Sequence, residues 1–119
     1  MRVEVADTGV VLATHVEVAV GPGSRMRGLL GRRPLESGEG LLLEPAAQIH
    51  TLGMSSPIDV VFCNRERVIV HIVRAMRPWR ITKWVRGARS VLELAAGTVP
   101  ESVTVRTRLR FYDGFSNGQ

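Results

Sequence analysis

Cysteine, lysine and aromatic residues are what this 119-residue chain has least of, with one Cys, two Trp, one Tyr, three Phe and a single lysine, Lys83, beside fifteen arginines. A lone Cys63 leaves no disulfide framework and no zinc site built on cysteine pairs, and its apolar setting predicts a buried reduced thiol. So few aromatics leave the core to Val and Leu. No apolar run approaches the roughly 18 residues of a membrane span. The N-terminus alternates from its first residues and lacks a signal-peptide apolar region, so the expectation is a cytoplasmic protein with no membrane partner. HExxH, GxxxxGK[ST] and GxSxG are also missing, and three histidines offer little for a metal site, so neither metal nor cofactor is expected.

The 45% hydrophobic and 23% charged fractions are those of a globular protein, and the length suits one domain with a real core. A single β domain over residues 1–111 is expected, with a disordered tail over 112–119. A net charge of +5 is compatible with a polyanionic partner, but the near-absence of lysine reads as a general preference for Arg codons.

Residues 2–6 and 10–13 flank Asp7-Thr8-Gly9, a hairpin signal. Residues 15–20 alternate as a half-buried strand with His15 toward solvent. Residues 24–31 carry a helical stripe of Met26, Leu29 and Leu30, capped by Ser24 and stopped by Gly31 and Pro34. The apolar run at 41–43 reads as a buried strand, 90–94 as another strand with Glu93 embedded among apolar residues, and 67–74, apolar on both faces, as an interior strand in which His71 is a satisfied core or edge histidine. Strict alternation over 103–111 places Val103, Val105, Thr107, Leu109 and Phe111 inward, and Arg106, Arg108 and Arg110 outward on a protected edge. The fold class expected is mainly β, a compact sandwich or barrel-like domain with one or two short helices. Its core would contain Val18, Leu29, Leu42, Val60, Phe62, Val70, Leu92 and Leu94.

The stretch from Gln48 to Cys63 draws most attention. It reads as two strands joined by Ser55-Ser56-Pro57 and carries one histidine and one aspartate among apolar residues. In the register that best segregates polarity His50 lies opposite Phe62, and Asp59 on the other face lies across from Gly53 and near Thr51. A buried Asp59 would pair with Thr51 and an arginine of the 25–33 helix.

RMRGLLGR (25–32), GLLL (40–43), IHTLGMSSPIDVVF (49–62) and VLELAAGT (91–98), in this order, resemble the domain of unknown function 192 family over most of residues 1–111. The resemblance implies a compact, mainly β domain with no established activity. Its motif falls on Arg27, Gly28 and Leu29, on His50, Met54, Pro57 and Asp59, and on Glu93 and Gly97. Where that family often carries a Gly-Asp turn before its last strand, this chain has Arg106-Thr107.

Three functional readings follow. The first is a binding or structural module for a small polar or anionic ligand or a protein partner, with Arg27, His50, Thr51, Met54, Asp59 and Glu93 as candidate ligand-binding residues. A hydrolase-like enzyme would rest on His50 alone, and no residue is assigned as catalytic. The third is a single-stranded nucleic-acid binder using the loop 74–89, where Arg77, Trp79, Arg80, Lys83, Trp84 and Arg86 interleave bases' stacking partners with phosphate-binding cations. Against that stands the plain reading that the two Trp cover the core and the arginines are solvated.

Overall fold

The computed structural model describes residues 1–20 and 34–113. They form β1 (Arg2–Val5), β2 (Val11–Ala13), β3 (His15–Val20), β4 (Glu39–Glu44), β5 (Ile58–Cys63), β6 (Ile69–Met76), β7 (Ser90–Ala95) and β8 (Leu109–Tyr112). The mainly β expectation holds, and no helix occurs among the described residues. The helix expected over 24–31, with Arg27 and Leu29, lies outside them, as do residues 114–119 of the expected tail. Tyr112, also expected in that tail, instead ends β8, where it pairs with Arg2 and its hydroxyl donates to Glu4 Oε2 at 2.5 Å.

A three-stranded sheet ordered β2-β1-β8 packs over a five-stranded sheet ordered β3-β4-β7-β5-β6. All pairings are antiparallel except β3 with β4. Alternation along the central strands explains their continuous apolar sequence, because both faces of the larger sheet are covered. Leu42, Val61, Cys63, Leu92 and Leu94 point toward the smaller sheet and meet Val3, Val5, Leu12 and Leu109. Leu41, Leu43, Ile58, Val60, Phe62 and Val91 point the other way and meet Ala46, Ile49 and Val85 from two long loops. Each fully buried Leu, Val or Phe contributes about 1.5–3 kcal/mol. Cys63 is buried as expected, and burial pushes its thiol up to about 12.

Val18, expected in the core, is 44% exposed. It lies on β3, an edge strand of the five-stranded sheet, beyond the cover of a sheet with only three strands. Val70 packs on the core only partly. The strand expected over 103–111 starts at Leu109, because the preceding residues spend their amides on turns: Val103 N donates to Pro100 O and Thr107 N to Thr104 O. Val105 is consequently exposed, while Arg106, Arg108 and Arg110 do face outward.

The hairpin expected over 48–63 does not form. β5 is flanked by β6 and β7, so residues 48–57 have no place beside it. They pair with the loop that follows β6.

Candidate functional site

Residues 47–51 and 80–85 run antiparallel and hydrogen-bond to each other. Thr51 N donates to Arg80 O, Thr82 N to Ile49 O and Val85 N to Ala47 O. The isolated bridge His50↔Ile81 sits between the first two of these bonds, which makes His50 and Ile81 a non-hydrogen-bonded pair with side chains close together on one face. Alternation then sorts the ribbon. Ile49, Thr51 and Thr82 are buried, while Leu52, Trp79, Ile81 and Lys83 are exposed and His50 is half-buried. Thr82 ties down the buried side: its hydroxyl accepts from Ile49 N at 3.1 Å and its carbonyl accepts from Gln48 Nε2 at 2.8 Å.

Thr51 holds the turn that presents Trp79. Its hydroxyl donates to Arg77 O at 2.7 Å and accepts from Arg80 N at 2.9 Å, while its carbonyl accepts from Trp79 N at 2.9 Å. Trp79 has φ 63, a left-handed backbone that a bulky residue adopts only where its surroundings impose it. Thr51→Val keeps the shape and removes the hydroxyl. It is expected to cost about 1 kcal/mol, read from the urea midpoint, since two partly buried backbone groups lose their partner.

The exposed residues of this region are apolar and basic. Trp79 is 64% exposed, Ile81 62% and Trp84 69%, and Leu52 is exposed as well, so the tryptophans do not cover the core. Arg77, Arg80, Lys83 and Arg86 are exposed too. Segments 45–58 and 67–92 contain no carboxylate. His50 Nδ1 accepts from Leu52 N at 3.2 Å, which assigns the proton of the neutral ring to Nε2. Arg74, next to this set in sequence, is instead a strut: its Nη2 donates to Pro100 O and Val103 O.

The other candidates do not join this face. Along β5, Asp59 and Val60 point to opposite sides of the sheet, and Asp59 lies on the side away from the ribbon. Its carboxylate accepts three backbone amides, from Ala75 at 2.8 Å, Gly97 at 3.1 Å and Val99 at 2.9 Å, not the Thr51 hydroxyl or an arginine of the 25–33 segment. A bulge creates the first acceptor contact: Ile58 and Val60 pair with Met76 and Val73, so two β6 residues oppose Asp59 and Ala75 takes φ 51. Glu93 pairs with Val60 and Leu41, placing it on the ribbon side but within the sheet, where burial pushes its carboxyl up to about 8. Met54 packs on the same apolar cluster, and Arg27 lies outside the described residues. His71, on edge strand β6, is half-buried with its ring 5.5 Å from that of Phe62, and burial together with the Lys83 charge lowers its pKa. Among the described residues no three His, Cys, Asp or Glu gather as a metal-ligand set.

Sequence reasoning found the Trp and Arg members of the exposed face and missed Leu52 and Ile81. The pairing of 47–51 with 80–85 aligns them, and it joins segments about thirty residues apart, beyond the reach of local turn chemistry.

A family model described as "Uncharacterized ACR", DUF192, matches residues 2–111. Two solved structures share the fold. One is a protein of unknown function from Novosphingobium aromaticivorans, 19% identical, with a TM-score of 0.78 over 93% of this chain and 84% of that one. The other is a protein from Sinorhizobium meliloti described as a proposed transcription regulator, 28% identical, with a TM-score of 0.76 over 92% of this chain and 89% of that one. No curated protein matches the chain at a significant level.

Proposed function

The chain belongs to the domain of unknown function 192 family, and from its exposed Trp–Arg face we propose that it is a binding module for single-stranded nucleic acid. The observation that carries this reading is the exposure of Trp79 and Trp84, at 64% and 69%, in a hydrogen-bonded ribbon whose 77–86 segment carries four exposed basic residues and no carboxylate. Tryptophan side chains are costly to leave in water, and a rigid mounting lets unpaired bases stack on them without a large ordering cost. Arg77, Arg80, Lys83 and Arg86 supply phosphate contacts on either side. His50 Nε2–H, across from Ile81, is a donor for a base edge or a phosphate. The description of the Sinorhizobium protein agrees in kind with a nucleic-acid partner.

A small polar ligand held by Thr51 and Asp59 is less favoured, because both side chains already bond the backbone. Titration with oligo(dT) at low ionic strength should quench the tryptophan fluorescence. Trp79→Ala and Trp84→Ala should each weaken binding about tenfold or more, in line with about 1–3 kcal/mol per stacked base. Log affinity should fall linearly with log salt, and Arg80→Ala should reduce the slope by about 0.7. Absence of quenching, or quenching equal in the Trp variants, would exclude this function. Tighter binding to duplex than to single strand would exclude stacking as its basis.

A further inference from the structure

On the opposite side of the molecule, the β1–β2 turn and the loop before β8 line an open cleft of about 370 Å³, at the small-ligand end of the range for binding pockets. Val5 and Val103 form a buried floor, and Val10 and Val105 stand 45% and 48% exposed at the walls. Asp7 and Arg106 line it with opposite charges. These two do not pair with each other or with another described residue.

The backbone at Arg106 carries the second observation. Thr107 N donates to Thr104 O at 3.0 Å, and Arg106, third residue of this turn, has φ 86. That is the type II geometry, whose third position normally belongs to glycine. An arginine there strains the backbone, and such strain at a cleft is a pointer to function when a cheaper residue would make the same turn. Its amide donates to Ile69 O at 2.8 Å, which glycine would do equally well. The turn therefore does not need the guanidinium.

We infer that this cleft is a binding site for a small zwitterion with an aliphatic side chain, an α-amino acid: Arg106 takes the carboxylate, Asp7 the ammonium, and Val10 and Val105 the apolar part. The hydroxyls of Ser102 and Thr104 at the rim offer further donors and acceptors. This site is independent of the Trp–Arg face.

Amide NMR spectra of the whole chain, titrated with L-leucine, test the inference. Saturable shifts confined to residues 5–10 and 102–107 are expected. Arg106→Gly should weaken binding at least tenfold while raising the melting temperature by about 3–5 °C, because the strain is released. Asp7→Asn should weaken binding similarly with stability unchanged. Leucinamide, lacking the carboxylate, and 4-methylpentanoate, lacking the ammonium, should each bind at least tenfold more weakly. Unsaturable shifts, full binding by either variant, or equal binding of either analogue would overturn it.

Discussion

Asp59→Ala is expected to unfold at a much lower urea concentration than the parent chain, losing about 3 to 5 kcal/mol. The side chain is 1% exposed, and its two oxygens accept the amides of Ala75, Gly97 and Val99. Hydrogen bonds to a carboxylate contribute about 1.5–3 kcal/mol each, and removing the acceptor leaves the buried Val99 amide without water to replace it. The expected loss falls below the full sum of about 4.5–9 kcal/mol because the other two amides are only partly buried. Even so, the loss is a large fraction of the roughly 5–15 kcal/mol that holds a domain together. Asp59→Asn should be milder, about 1–2 kcal/mol, because its single oxygen can serve the Gly97 and Val99 side while its amide opposes the donor from Ala75. Equal midpoints for Asp59→Ala and the parent would show that these contacts carry no stability.

Glu93→Gln should stabilise the protein near neutral pH, by about 3 kcal/mol at pH 7. Glu93 lies on the central strand β7, 5% exposed, and burial alone pushes its pKa from 4.5 to about 8. Between those values the native carboxyl is neutral and the unfolded one ionised, so folding takes up a proton. Stability from this group is fully present below about 4.5 and is lost as pH rises through about 8. Glutamine keeps the shape and cannot ionise. Its unfolding free energy should therefore lack that decline, with the two proteins close near pH 5 and separated by pH 8. Urea melts across this interval measure it directly, and parallel profiles would mean that Glu93 is already ionised in the folded state. A buried acid that weakens the fold at working pH is the kind of local concession proteins retain where packing or function requires the residue.

Much of the architecture was legible in the chain by itself. The β1–β2 turn at Asp7-Thr8-Gly9, the strands at 41–43 and 90–94, outward His15 and the buried thiol of Cys63 follow from alternation and turn chemistry, which act over a few residues. The motif between residues 49 and 62 was equally visible. Its pairing was not. A Ser-Ser-Pro corner between apolar runs looks the same whether the first run turns back on the second or pairs with a segment thirty residues later. Burial of Ile49 and Val85 against Val60 and Phe62 decided for the latter, because β5 already has a partner on each side. The same holds for Asp59, whose partners lie 16, 38 and 40 residues away, and for Trp79 and Trp84, whose exposure depends on which face of the ribbon the sheet occupies. Local backbone preferences are encoded residue by residue; which strand edges meet, and therefore which side chains reach water, is set by burying apolar area across the whole molecule.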